Sequence, residues 1–251
     1  MRVALKFAYD GKGFSGYARQ PGQQTVEQVL LNLLIERRIV DDAKTSYFRT
    51  ASRTDRGVSA LGNVCSFDTV SSKKTMLGLL TKGISDVFIY GVQSVDPDFY
   101  PRHALRREYR YYLRKNDLDV DVLLSAAGLF TGEHNFHNFA RVEPLKTPVR
   151  TIDNIVIIEK KDFLILDFYA QTFLWNQIRR IVSALEKRAK GVISDEQIHA
   201  ALEHPEAKVD FQVAAPESLI LKNVVYDFSF EYVKDYKKNL QIIENRVIAS
   251  L

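Results

Sequence analysis

Asp55 stands in the run Arg53-Thr54-Asp55-Arg56-Gly57-Val58-Ser59-Ala60. A carboxylate with a cation on either side can serve as a nucleophile or a general base, because neighbouring arginines favour its ionised form. Gly57 can take backbone angles closed to other residues, which suits a tightly shaped loop. The same residues also make an ordinary polar turn, with the aspartate bonded to its own backbone and the arginines in solvent. The local pattern leaves both readings open. A second cluster, Arg102, Arg106, Arg107, Arg110 and Arg114, interleaves with Tyr109, Tyr111 and Tyr112. Cations beside aromatic rings suit a surface that tracks a phosphate backbone and stacks on bases. A solvated charged face has the same composition, and the net charge of +4 agrees with either.

His134 and His137 lie three apart, a metal-binding spacing on a helix. With Phe136 and Phe139 interleaved and no third ligand at hand, they read as loop packing. Cys65, the single cysteine, falls in a short apolar stretch after the Asp55 loop and reads as buried packing. One cysteine allows neither an intrachain disulfide nor a cysteine-based metal cluster. No P-loop or dinucleotide fingerprint occurs, so no cofactor is expected. No apolar stretch is long enough to cross a bilayer, and the expectation is a soluble, cytoplasmic protein without a membrane partner.

The elements that must position these groups follow from periodicity. Residues 2–9 alternate, with Val3, Leu5, Phe7 and Tyr9 on one face, and predict a half-buried strand. Asp10-Gly11-Lys12-Gly13 ends it as a turn. Thr25 and Gln28 form a capping box that opens a helix with Val26, Val29, Leu30, Leu33 and Leu34 as its apolar stripe. Strands are expected near 46–50 and 63–67, flanking the Asp55 loop, then a helix near 74–83 with Met76, Leu77 and Leu80, and a strand over 87–95. This is the β-α-β-β-α-β order of a ferredoxin-like unit.

The second half repeats the theme without repeating the sequence. Strands are predicted over 107–115, 151–159, 163–170 and 218–230, with helices over 119–130, 173–189 and from the Ser194–Gln197 capping box to Glu203. Tyr236, Leu240, Ile243, Val247 and Leu251 recur at helical spacing in the tail. The expected fold is α+β: two ferredoxin-like, RRM-like units, residues 1–104 and 105–251, with their sheets side by side and a basic cleft between them as the site.

Arg53-Thr54-Asp55-x-Gly57-Val58-x-Ala60 resembles the signature loop of the TruA-type tRNA pseudouridine synthases. Five further segments agree in order. They are Ala8-Tyr9-Asp10-Gly11 with Phe14, Gly16, Tyr17, Arg19, Gln20 and Pro21; Thr25-Val26-Glu27-Gln28; Phe99-Tyr100-Pro101-Arg102 with Tyr109-Arg110-Tyr111; Glu133-His134-Asn135-Phe136 with Phe139 and Arg141; and Phe173-Leu174 with Ile178-Arg179-Arg180-Ile181-Val182. Ser52 stands where the family usually has glycine, and Tyr17 where tryptophan is common.

The resemblance implies roles. Asp55 is the nucleophile that attacks the target uridine at C6 or C1′. Tyr109 stacks on the target base, and Arg179 pairs with the aspartate. On a helical wheel Arg179 falls beside Thr172, Asn176 and Ser183, off the Ile178/Ile181/Leu185 core stripe. Arg53, as a phosphate contact or as the placeholder for a flipped nucleotide, is expected to bind substrate. Thr54, Arg56, Arg19, Gln20, Arg102, Arg110 and the pocket-lining Leu219 are expected to do the same. The implied partner is the tRNA anticodon stem-loop, at uridines 38 to 40, and the implied assembly is a homodimer. A non-catalytic tandem RRM-like RNA-binding protein is the competing class, but the RRM aromatic signature on central strands is missing. A glycosidase would need a second carboxylate beside Asp55, and the loop has none.

Overall fold

The computed structural model describes residues 1–80 and 87–249. The fold is α+β, in two compact units: Met1–Leu105 with Ile220–Leu251, and Arg106–Leu219. The first half of the chain contributes β1 (Arg2–Tyr9), α1 (Val26–Glu36), β2 (Arg49–Thr50), β3 (Ser59–Asp68), α2 (Lys73–Leu80) and β4 (Val87–Ser94). There follow β5 (Arg106–Arg114), α3 (Val120–Ala127), β6 (Gly132–Asn135), β7 (Val149–Ile152), β8 (Asn154–Glu159), β9 (Phe163–Ala170), α4 (Gln177–Ala189) and α5 (Asp195–Glu203). The chain closes with β10 (Leu219–Val225), β11 (Glu231–Tyr232) and α6 (Tyr236–Ile248). The expected extension of α2 to residue 83, the Leu80 side chain and Leu251 lie outside the described residues.

In the first unit the strands run β11-β4-β1-β3-β10, and β2 adds to β3. β1 is antiparallel to both neighbours, whereas β10 lies parallel to β3 through Ile220 opposite Ser59 and Leu221 opposite Ala60. Thr25 caps α1 by accepting the Gln28 N–H, but the Gln28 side chain turns to Asn32, so only half of the expected box forms. Val26, Leu30, Leu31, Leu33 and Leu34 are buried.

β1 departs from the half-buried strand that its alternation predicts: residues 3–9 are buried on both faces. The cause is the C-terminal segment, expected with the second half, which packs on the first unit instead. α6 lies against β1 and β3, β11 pairs with β4, and Tyr236 stacks on Tyr90 and Tyr232. Lys6, on the face that should have met water, is buried with its ammonium on the Asn223 side chain and the Val224 carbonyl, beside the Phe230 ring. A buried ammonium needs such acceptors, because its desolvation is otherwise uncompensated.

In the second unit β5 pairs with β9, and β9 with β8, all antiparallel. The strand expected over 151–159 breaks at Asp153, whose N–H turns to the Tyr169 carbonyl at 2.8 Å. β7 thereby leaves the sheet and pairs with β6. The 119–130 helix ends at Ala127 and finishes as a single 3-10 turn. The 218–230 strand likewise stops at Val225. Both halves of the Ser194–Gln197 capping box form.

Candidate active site

The chain around Asp55 is tied down through its backbone at Ala51, Ser52, Thr54 and Val58. Ala51 N–H reaches the Val64 carbonyl at 2.8 Å, and the Asn63 amide donates to the Ser52 carbonyl at 2.9 Å. Thr54 is held twice: its carbonyl accepts the Tyr17 N–H at 3.1 Å, and its hydroxyl lies 2.8 Å from that of Tyr9. On the other side, the Val58 N–H closes a turn onto the Asp55 carbonyl at 3.2 Å, with Gly57 at φ +83. The aspartate side chain itself remains half-exposed, between the exposed Arg53 and Arg56. A fixed backbone carrying a solvent-accessible carboxylate is what an attacking group needs, since orientation is settled before substrate arrives.

The clamp on this loop comes from residues 10–17. The Gly11 N–H donates to Ser59 Oγ at 2.9 Å, and a Cβ on Gly11 would lie 2.4 Å from the Val58 carbonyl oxygen. Only glycine lets the two segments approach so closely. Tyr17, fully buried, sets its hydroxyl 2.6 Å from Thr50 Oγ1, and burial pushes its phenol well above the usual tyrosine range. The sequence pattern marks Gly11 and Tyr17 as family positions but conveys nothing of this packing. Cys65 is buried in β3, where desolvation raises its thiol pKa, so it is held neutral.

The first unit also carries Arg19, Gln20 and Arg102, all exposed. Arg19 faces Glu27, its backbone N–H on that carboxylate at 3.1 Å, and the Gln20 amide donates to the Ser15 carbonyl at 3.2 Å. Thus Arg53, Thr54, Asp55 and Arg56 form one loop, and Arg19 and Gln20 belong to the segment that continues its clamp.

In the second unit, Tyr109 lies on β5 opposite Phe168 and is 9% exposed, with Phe173 edge-on at 5.3 Å between centroids. Phe173 leads into α4, which starts at Gln177 rather than at residue 173. Asn176 makes the entry in a left-handed conformation, φ +61, which asparagine tolerates better than most residues. Thr172 is therefore not on the helix. The Asn176 Oδ1 accepts from the Arg179 guanidinium at 3.2 Å, and the Ala214 carbonyl accepts from Arg179 Nε at 2.7 Å. Ala214 N–H returns a bond to the Arg179 carbonyl at 3.1 Å.

Arg110, also expected to contact substrate, is paired within its own unit. Its guanidinium forks onto Asp167 through bonds of 2.7 and 2.8 Å, with the two side chains 17% and 4% exposed. The carboxylate raises the arginine pKa further, and the pair neutralises itself inside the fold. Arg180 is drawn to Asp210 at 2.7 Å. Leu219, at the start of β10, is buried, and His134 bonds the Thr131 carbonyl while lying edge-on to Phe136. Among the described residues no group of three His, Cys, Asp or Glu side chains could hold a metal, and no helix is long and apolar enough to cross a membrane.

Comparison with known proteins bears on the whole chain. It is 41% identical over 230 residues to the tRNA pseudouridine synthase A of Thermococcus sibiricus, covering 90% of this chain and 85% of that one. The same-named protein of Pyrococcus furiosus is 39% identical over 231 residues, covering 90% and 84%. The chain belongs to the tRNA pseudouridine synthase family. A third member, from Methanobrevibacter smithii, is 36% identical over 264 residues, covering 95% of this chain and 90% of that one. The family model described as tRNA pseudouridine synthase matches residues 126–227, a stretch that takes in Phe173, Arg179 and Leu219. Asp55 and Tyr109 precede it. Among solved structures, the archaeal box H/ACA sRNP Nop10–Cbf5 complex aligns over 73% of this chain and 42% of that one, at 10% identity and a TM-score of 0.37.

Proposed function

We propose that this member of the tRNA pseudouridine synthase family isomerises uridine to pseudouridine in tRNA, with Asp55 as nucleophile. The observation that carries the assignment is the loop: Thr54 held by backbone and side chain, Asp55 anchored through Val58, and the carboxylate left half-exposed. Attack by the carboxylate at C6 of the base or C1′ of the sugar lets the glycosidic bond break. The uracil then turns and rejoins through C5, the bond to Asp55 is broken, and the C5 hydrogen leaves as a proton while N1 takes one up. The change is redox-neutral.

The motif matches assign Tyr109 the face on which the target base stacks and Arg179 the cation that accompanies the nucleophile. The Asn176 and Ala214 bonds support a fixed role for Arg179. Arg53, Arg56, Arg19 and Arg102, exposed on their unit, suit phosphate contacts, and Gln20 and Thr54 suit polar ones. The substrate site proposed is uridines 38 to 40 of the anticodon stem-loop, and the working form a homodimer in the cytoplasm. Each unit is further proposed to be a ferredoxin-like variant. The neighbour order β4-β1-β3-β2 in the first, and β5-β9-β8 in the second, support it.

Tritium release from tRNA labelled at uridine C5 tests the reaction. Wild type should release label and Asp55→Asn should not, while the variant still binds tRNA through its phosphate contacts. Full activity in the variant, or none in wild type, defeats the assignment. Light scattering of the purified enzyme tests the dimer.

A further inference from the structure

The chain has a single tryptophan, Trp175, and its side chain is 44% exposed between the buried Leu174 and Gln177. A large aromatic left in water when its neighbours are packed away calls for a reason. The guanidinium of Arg141 lies over the indole, 4.1 Å from the ring centroid. The two residues are also joined through their backbones, the Arg141 N–H donating to the Trp175 carbonyl at 2.8 Å in an isolated antiparallel bridge. The ring is thus fixed at the surface by a second chain segment, and Arg141 is itself exposed.

The position of this pair is informative. Within a few residues the chain packs Phe173 inward against Tyr109, leaves Trp175 outward, and turns at Asn176, which holds Arg179. The exposed ring therefore belongs to the same short stretch as the groups assigned to the target base and to the nucleophile's cation.

We propose that Trp175 and Arg141 form a nucleotide-stacking subsite, which receives an unpaired base of the substrate RNA that flanks the target uridine. The inference rests on the RNA-substrate reading given above. A single ring with a guanidinium on it is too small a patch to dock a folded protein. One ring is enough to stack one base, since every base has a π-face, and the stacked arginine adds a charge that a phosphodiester can meet. The subsite acts on binding and on which nucleotides flank the target; the chemical step belongs to other residues.

Because the tryptophan is unique, its emission, excited beyond the tyrosine band, reports this site alone. Titrating wild type with unmodified tRNA transcript should quench that emission. Trp175→Ala should raise the Kd for tRNA and KM by about tenfold or more, with kcat within about threefold of wild type. Trp175→Phe, which keeps a stacking ring, should recover most of the affinity, and Arg141→Ala should lose less than Trp175→Ala. Unchanged emission at saturating tRNA overturns the proposal. So does wild-type affinity in a Trp175→Ala protein that melts like wild type. Normal tritium release with a silent tryptophan defeats the subsite alone. Absence of both release and tRNA binding in wild type defeats the functional reading beneath it.

Discussion

The Asp55 loop and the Phe173–Arg179 stretch present their candidate groups by different means. The loop is held by backbone hydrogen bonds from residues 10–17 and by a glycine contact that no side chain could fill. The second stretch relies more on side chains: a ring against a ring at Phe173 and Tyr109 and an amide under Arg179, while a forked ion pair between Arg110 and Asp167 joins β5 to β9 in the same unit. Backbone bonds and close approach give a position that tolerates almost no change in shape. Side-chain clamps give one that tolerates changes in shape but is sensitive to charge. The two regions should fail in different ways.

Asp55→Asn keeps the shape of the loop and removes its charge. Turnover should fall by at least about 10³-fold with no loss of melting temperature, read by tritium release alongside calorimetry. Gly11→Ala tests the shape itself. The added methyl meets the Val58 carbonyl, so the loop must shift, and a displacement of about 1 Å should cost on the order of 100-fold in kcat. The clash is with backbone at Gly57 and Val58, so a clear drop in melting temperature should accompany it, and activity is compared well below the transition. Equal activity in the two proteins would show that the close approach does not set the position of the loop.

Asp167→Ala probes the other kind of clamp. It leaves the Arg110 charge half-buried without its fork, and unfolding free energy should fall by about 2–3 kcal/mol, the lower end of what a fully buried pair loses. Replacing both residues together, Arg110→Met with Asp167→Leu, should restore much of it, as a denaturation series would show.

Acid should give the smallest effect. In the second unit Asp195, bonded to Arg188, and Asp210, bonded to the Gln212 N–H and Arg180, have pKa values held below the ordinary carboxylate range. Their contribution is present above the unfolded pKa and is lost as pH falls through the lower folded values, below about pH 4. Hydrogen exchange in that window should show α4 and α5 loosening while β1 and β3 keep their protection. The reverse order would remove the distinction between the two regions.

The sequence shows local features best. The Ser194–Gln197 box, the α1 stripe and the turn at Gly57 follow from residue types a few positions apart. Features that depend on distant partners are invisible in it. The alternation of β1 predicts one wet face, because nothing near residue 6 announces that Asn223, Val224 and Phe230 will cover it. The apolar periodicity of α4 runs back to Leu174, so the left-handed turn at Asn176 is missed. Among the candidate site residues, the basic-aromatic run shows Arg110 but not its pairing with Asp167, 57 residues on. Trp175 is conspicuous by its rarity, but its exposure and its arginine are facts of packing.

Lys6 has a consequence for the order in which the protein can be built. Its ammonium closes a contact across 217 residues of chain, and β10 joins β3 in parallel with Ile220 beside Ser59. As the chain emerges from the ribosome, β1 and β3 must wait for residues 220–248 before their second face is covered, and long-range pairing of this kind forms slowly. The unit that carries Asp55 starts with β1 and is complete only once β10, β11 and α6 have joined it. A nascent protein can thus hold the Asp55 loop in its local clamp while the sheet that carries it still has one face open to solvent.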